Sequence, residues 1–276
     1  MRILTGAIRI IVVFSVLTIL TQIGGLAYLA YKPFGLAMRK RNKAGGFSRW
    51  KRFGLFAGIY LAGTLFVIPP LAELYGRVPM PWFANEEQRI KPATILTCLA
   101  NRHYVRPELK ALISDLSLQM EEEAALVYLD ANFPFLTGFP LLPHKSHDDG
   151  EKIDLSFIYR NTQTGEVVND AISMFGYGVT EDPARGEMNR PEECEGKGHW
   201  QYSLIRRITP QWRKEKYVFD EALNRELLIR LAKDGRVGKI FIEPHLKQRL
   251  GLDRHGKVRF HGCSAVRHDD HIHVQL

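Results

Sequence analysis

Cysteine is scarce in this sequence, and its three cysteines form no Cys-x-x-Cys pair. A structural zinc site built from thiolates is therefore not expected. In an oxidising compartment Cys98, Cys194 and Cys263 would permit one disulfide. We predict the pair Cys194–Cys263, which would hold the segment before the last strand, with three reduced thiols as the alternative. Internal repeats and low-complexity tracts are also missing, which excludes a repeat array.

Acidic side chains are almost absent from the first third of the chain. Residues 1–89 contain 12 basic and 3 acidic residues, whereas residues 90–276 contain 26 basic and 27 acidic residues. The net charge of +8 is therefore concentrated in the N-terminal region. A basic surface for nucleic acid has no support in the remainder, and we predict no nucleic-acid partner.

Two uncharged runs stand near the N-terminus, at residues 10–31 and 53–72, with lengths of 22 and 20 residues. Either run is long enough to cross a hydrocarbon core of ~30 Å as a helix. We predict transmembrane helices within residues 1–31 and at 53–72, with a cleaved signal peptide as the alternative for the first. The second run has small residues at four-residue spacing: Gly54, Gly58 and Ala62. Such a stripe would let another helix approach closely, either the first span or the same helix of a second copy in a helix-mediated dimer.

The segment between these runs, residues 32–52, carries eight cations and no acid. The positive-inside bias places this loop in the cytoplasm, so the N-terminus and the long C-terminal region would lie on the other side of the membrane. Residues 73–91 are predicted to form a juxtamembrane tether, with Trp82 as an interfacial anchor. Residues 92–276 then remain for one domain with its own core.

Hydrophobic periodicity predicts an α+β fold for this domain, with a small mostly antiparallel sheet and flanking helices. A stretch rich in Gly, Glu and Pro at 175–198 is interpreted as a loop, either beside a substrate cleft or simply on the surface. The predicted helices are 106–122 and 219–234, and the predicted strands are 124–129, 153–158, 240–242 and 271–276.

Histidines and carboxylates are concentrated in two places. His147 and Asp154 lie seven residues apart, and residues 268–273 contain three histidines and two aspartates. Alternation in the last strand places His271 and His273 on one face, and alternation around Asp154 directs it away from its apolar neighbours. We predict that His147, Asp154 and His273 bind a catalytic Zn²⁺ with one position left for water. Ordinary strand histidines and an adventitious metal-binding tail are the alternatives.

Two motifs carry a family resemblance. The pattern Pro-His-x-Ser-His-x-x-Gly-x-x-x-Asp occupies residues 143–154, and His-Asp-Asp-His-x-His-Val-x-Leu occupies residues 268–276. Together they resemble the penicillin-insensitive murein endopeptidases, in the superfamily of lysostaphin-type peptidases, D-alanyl-D-alanine peptidases and the hedgehog domain. Segments 101–109 and 237–247 resemble supporting parts of the same family. The resemblance covers roughly residues 92–276.

The resemblance implies the same three zinc ligands and a role for their neighbours. His271 is expected to handle a proton or stabilise the oxyanion, and His268 could share this task. His144 is expected beside the site. Asp270 occupies the place of an acidic base in related peptidases, although strand alternation directs it away from His273.

The implied activity is zinc-dependent hydrolysis of the cross-link between D-alanine and meso-diaminopimelate in peptidoglycan. The protein would be a two-pass inner-membrane protein with its catalytic domain in the periplasm. Three alternatives remain: a D,D-carboxypeptidase, an L,D-endopeptidase acting on the same stem peptides, and a non-catalytic zinc-holding domain that binds the wall.

Overall fold

The computed structural model describes residues 2–41, 48–85 and 88–276, and it has the α+β composition expected from the sequence. The α-helices are α1 Arg2–Thr21, α2 Gly24–Arg41, α3 Arg49–Ala62, α4 Ile68–Glu73, α5 Ile95–Leu99, α6 Pro107–Gln119, α7 Arg190–Gly196, α8 Leu204–Ile208, α9 Glu221–Lys233 and α10 Pro244–Arg249. A π-helical turn occupies Gly63–Val67 and a 3₁₀-helix occupies Gln211–Lys216. The strands are β1 Val78–Pro79, β2 Ile90–Pro92, β3 Tyr104–Val105, β4 Leu126–Tyr128, β5 Lys152–Ser156, β6 Tyr159–Asn161, β7 Val167–Val168, β8 Tyr217–Phe219, β9 Lys239–Phe241, β10 Val258–Arg259 and β11 His271–Gln275.

The first predicted transmembrane helix is wrong as a single span, because residues 10–31 fold back on themselves. Helix α1 ends before Gln22, whose φ of 63° lies in the left-handed region. The Gln22 side chain is buried and forms two hydrogen bonds with the backbone of Phe135, with lengths of 3.0 and 2.8 Å. A β-carbon on Gly25 would lie 2.7 Å from the carbonyl oxygen of Phe14, so α2 returns closely along α1. The two helices form a hairpin.

The second predicted span coincides with a helix that is longer than expected. Helix α3, the π-turn and α4 form one continuous helical segment, Arg49–Glu73, of 25 residues. Within the described residues it is the one helix long and apolar enough to cross a membrane, where the sequence predicted two. Pro69 and Pro70 lie inside α4 and do not end the helix at once. A β-carbon on Gly54 or Gly58 would meet no described atom within 4 Å, so these two glycines do not contact the described part of the α1–α2 hairpin. The helix-mediated dimer stays a prediction.

The predicted tether at residues 73–91 is instead largely part of the domain. Strand β1 pairs with β3, and strand β2 forms one edge of the main sheet. The buried Arg77 guanidinium donates to the carbonyl oxygens of Phe133 and Phe135. The indole N–H of Trp82 donates to His103 over 3.1 Å, so this side chain belongs to the fold, and its role as an interfacial anchor stays a prediction. Elements of two or three residues are too short to show a hydrophobic period, which explains the error.

A six-stranded mixed sheet forms the centre of the domain, in the order β10-β9-β11-β5-β4-β2. The strands from β9 to β4 run antiparallel, as predicted, while β10 and β2 add parallel edges. One face of β5 and β11 is fully buried, and α6 and α9 contribute buried leucines to the same core. The opposite face of these two strands is left for polar side chains: Asp154, Ser156, His271 and His273.

The remaining elements follow the sequence predictions closely. Helix α6 corresponds to the predicted helix 106–122, and α9 corresponds to the predicted helix 219–234. Helix α9 starts later than predicted because Phe219 is the last residue of β8. Cys194 and Cys263 form the predicted disulfide, which joins α7 to the segment preceding β11. The thiol of Cys98 is buried 3.2 Å from the Tyr128 hydroxyl, and burial raises its pKa to about 12.

Acid should destabilise the folded protein through His103. Burial and then the charge of Lys110 lower the pKa of His103 to about 3, whereas an unfolded chain has an ordinary value near 6.5. As pH falls below about 6.5, only the unfolded chain takes up this proton. The free energy of unfolding should therefore decrease by roughly 1.4 kcal/mol per pH unit towards pH 3. Denaturant titrations between pH 6.5 and 4 measure the free energy of unfolding of the full chain and of His103→Phe. The decrease with falling pH should be smaller in His103→Phe, and equal pH dependence of the two proteins would contradict the prediction.

Candidate metal centre

The site is built on the antiparallel pair β5–β11. The register places His273 directly opposite Asp154, and His271 opposite Ser156. Directly opposed side chains on one face of such a pair lie close together, and here Nδ1 of His273 is 2.8 Å from Oδ1 of Asp154. The period of two that buries Ile272 and Val274 therefore also brings the two polar side chains into contact.

His147 reaches the same point from the loop that precedes β5. Its Nδ1 atom bonds to the carbonyl oxygen of Ala131 over 2.7 Å, which requires the proton on Nδ1 and leaves the lone pair of Nε2 free. This Nε2 atom lies 3.1 Å from Nδ1 of His273 and 3.2 Å from Oδ1 of Asp154. The structure thus brings the three predicted ligands together, although 119 residues separate Asp154 from His273.

The three side chains have the chemistry and the spacing that a metal ion requires. Ligands of a tetrahedral zinc at ~2.0–2.2 Å lie about 3.3 Å from one another. Two of the distances here, 3.1 and 3.2 Å, are close to this value, and the third, 2.8 Å, is shorter. Two imidazoles and one carboxylate form a common donor set of catalytic zinc. All three side chains are buried, which protects such a site from bulk water.

His144 offers a second choice for the third ligand. Potential ligand atoms of His144, His147 and Asp154 lie within 4.8 Å of one another and could hold a metal ion. Nδ1 of His144, however, faces the other carboxylate oxygen, 3.3 Å from Oδ2 of Asp154, and lies 3.4 Å from Oδ2 of Asp130. Because His147 and His273 both face Oδ1 of Asp154, His273 is kept as the predicted third ligand, with His144 beside it.

The charges of two of the three ligands suit a cation. Burial lowers the pKa of His273 to about 4, so this imidazole is neutral at pH 7. Burial alone would raise the pKa of Asp154, but the adjacent His147 and His271 hold it well below its usual range. Neutral imidazole and ionised carboxylate are the forms that bind metals. Burial would lower the pKa of His147, but Asp154 outweighs it and raises the pKa, so a metal would have to displace a proton from this imidazole.

His271 stands next to the three ligands and faces the cavity. Its Nδ1 atom bonds to Oδ1 of Asp270, which leaves Nε2 directed towards Asp154, 3.8 Å from Oδ1. Asp270 also accepts the backbone N–H of Gly178. Burial would lower the pKa of His271, but Asp154 and Asp270 outweigh it and raise the pKa to about 9. Asp270 precedes β11, positions His271 through this bond and also lines the cavity.

His268 is close to the site as well. Its ring centroid is 4.8 Å from that of His271 and 5.9 Å from that of His273. Burial and then the neighbouring His271 and His273 lower the pKa of His268 well below its ordinary value. Unlike His271, this side chain does not line the cavity described below. The geometry therefore favours His271 over His268 as the residue that can reach a substrate.

The sequence analysis missed Tyr177, whose hydroxyl donates to Oδ2 of Asp154 over 2.7 Å. Tyr177 lies in the stretch 175–198, so part of this loop borders the site. The flanking Gly176 and Gly178 have φ values of 84° and 85°, and a β-carbon on Gly176 would lie 2.0 Å from Leu129. The Gly-Tyr-Gly triplet was the sequence signal that could have identified Tyr177. Two glycines in the left-handed region on either side of one tyrosine indicate that its side chain is held in a fixed position.

Asp130 and Arg102 were missed as well. The Arg102 guanidinium forms two hydrogen bonds of 2.7 Å with the Asp130 carboxylate, which in turn lies beside His144. Burial would raise the pKa of Asp130, but His144 and Arg102 lower it to about 2. Asp130 follows the buried strand β4 almost directly, a position that often carries functional side chains.

Replacing Tyr177 with phenylalanine should weaken metal binding by about 10–100-fold, the usual effect of losing a side chain that orients a ligand. Asp154 would lose the hydrogen bond on Oδ2 and its orientation towards the metal. Competition with a chromogenic chelator measures the zinc affinity of the purified chain. Tyr217→Phe, in strand β8, is the control. Equal affinity of Tyr177→Phe and the unchanged protein would contradict the role given to this hydroxyl.

No protein-family model matches the chain, and none of the curated proteins is significantly similar to it in sequence. The likeness to murein endopeptidases therefore depends on the two short motifs at residues 143–154 and 268–276 and remains a prediction. The class defined by the described residues is an α+β domain with a candidate His/Asp metal centre, joined to a helix long and apolar enough to span a membrane.

Proposed function

We propose that this protein is a membrane-anchored zinc hydrolase that cleaves peptide bonds in peptidoglycan. The observation that carries the proposal is the convergence of His147, Asp154 and His273 on one point, with His271 alongside and a cavity in front. Preference for the D-alanyl–meso-diaminopimelate cross-link, a D,D-endopeptidase activity, is supported by the resemblance of the two motifs alone.

Zinc at these three ligands would polarise the scissile carbonyl and lower the pKa of a bound water to about 7. The chain's own residues then have separate tasks. Asp270 holds Nδ1 of His271, so Nε2, protonated at neutral pH, is the atom that stabilises the oxyanion or gives a proton to the leaving amine. Tyr177 and the carbonyl of Ala131 keep Asp154 and His147 in place.

The helical segment Arg49–Glu73 supports a membrane anchor. Its N-terminal end lies within the basic segment 32–52, which the positive-inside bias assigns to the cytoplasm. The domain that follows the helix would then lie in the periplasm, next to the wall. Because α1 and α2 form a hairpin, the N-terminus would lie on the cytoplasmic side, opposite to the side inferred from two separate spans.

Digestion of purified murein by the full chain in detergent tests the activity. Loss of cross-linked dimers, blocked by a chelator and restored by zinc, is the expected result. Release of terminal D-alanine alone would instead indicate a D,D-carboxypeptidase, and cleavage within the stem at an L,D bond would indicate an L,D-endopeptidase. Tight zinc binding without any cleavage would refute the hydrolase and leave a wall-binding domain.

A further inference from the structure

A large cavity connects the candidate metal centre with the N-terminal helices. Its volume is about 980 Å³, at the upper end of the range for small-molecule sites. His144, Tyr177 and His271 line one end of it. Leu20 of α1 and Phe56 of α3 line another part, so the cavity extends from the site to the membrane helix.

Large apolar side chains line much of the remaining wall, together with Arg206 and Arg213. Phe175, Ile208 and Trp212 line the cavity and expose 53%, 69% and 57% of their surface. Large exposed apolar side chains clustered around one cavity indicate a binding surface. The polar end holds the candidate metal centre, whereas none of the described residues that line the helix end carries a charge. A polar stem peptide fills only the first of these environments.

We propose that the substrate is a peptide joined to a long hydrocarbon chain, in other words a lipid-linked peptide. This inference rests on the proposed function and specifies the substrate of that same site. The hydrocarbon chain would remain between the helices and the Trp212 wall, level with the bilayer. The peptide would then extend to His271 and the metal ligands. Burial of the apolar chain supplies the affinity, and the metal centre selects the bond.

Binding can be measured apart from activity, because Trp212 lies in the cavity wall. The probe is a synthetic stem peptide that carries a dibrominated acyl chain, which quenches tryptophan emission on contact. The full chain in detergent should bind it at least tenfold more tightly than the same peptide without the chain, measured by competition. Trp212→Phe should remove most of the quenching, since the other three tryptophans do not line the cavity.

A matched pair of variants on α1 tests the position of the chain. Leu20→Asn places an amide in the cavity wall and should weaken binding of the lipidated peptide at least fivefold. Ile19→Asn is the control, because Ile19 has a similar exposure, 47% against 53% for Leu20, but does not line the cavity. Ile19→Asn should bind as the unchanged protein does. Equal losses in both variants would overturn the proposal.

Two further outcomes would also overturn it. One is equal affinity for the peptides with and without the chain. The other is equally strong quenching by a dibrominated phospholipid without a peptide, which would make the cavity a site for bulk lipid. Failure of the proposed function is recognised separately, since neither peptide would then be cleaved, whatever the quenching shows. Selective cleavage of the lipidated peptide would support both conclusions.

Discussion

His273→Ala is expected to abolish zinc binding and reduce hydrolysis to the uncatalysed level. The substitution removes one of three ligands and leaves Asp154 and His147 to hold the cation with two side chains. Substitution of a residue that orients a metal ligand usually lowers the metal affinity about 10–100-fold. Loss of a ligand itself should therefore lower the zinc affinity more than about 100-fold. Metal analysis of the purified chain should fall from about one zinc per molecule to near zero.

The control for this experiment is His255→Ala, a histidine that belongs to neither of the two motifs. It should retain one zinc and full activity. The His144→Ala variant distinguishes the two possible ligand sets, because it should retain zinc if His273 is the third ligand. Stoichiometric zinc in His273→Ala together with loss of zinc in His144→Ala would show that His144 is the ligand, and our assignment would be wrong.

The second large effect is expected from His271→Ala. A positioned acid or base contributes typically 10²–10⁴-fold to catalysis, so kcat should fall by about this factor. Zinc content should be preserved, because Nε2 of His271 lies 3.8 Å from Asp154 and outside the compact group of three ligand atoms. Steady-state kinetics with a stem-peptide substrate, together with metal analysis, separate the two effects.

His268→Ala is the matched comparison, since it removes a neighbouring buried imidazole that does not line the cavity. It should reduce kcat much less than His271→Ala does. Full activity of His271→Ala would refute its role in proton transfer. A loss of zinc in His271→Ala would instead identify His271 as a fourth ligand.

The elements with a clear hydrophobic period were predictable. Alternation around Asp154 and His273 predicted two strands with their polar side chains on a shared face, and the structure pairs them as neighbours. The spacing of leucines likewise predicted α9. These features depend on local sequence, because the period of a strand or a helix is itself a local property.

Other features depend on distant partners. Gln22 is a single polar residue within an apolar run. The turn at this residue is stabilised by hydrogen bonds between its side chain and the backbone of Phe135, 113 residues away. The same limit applies to Tyr177, whose hydroxyl meets Asp154 only after the loop has folded over the sheet. Strands β1 and β2 are too short to show a period, so the segment before residue 92 was predicted as a tether.

The register between β5 and β11 has a consequence for any insertion or deletion in the last strand. Because side chains alternate, a shift of one residue would turn His273 towards the leucines of α6 and α9 and bring Ile272 or Val274 to face Asp154. An aliphatic side chain cannot coordinate a cation, and a histidine in the core would lose its solvation. Burial of the apolar face of the sheet therefore sets the register of the metal ligands on the opposite face. A shifted register would be destabilised even without a bound metal.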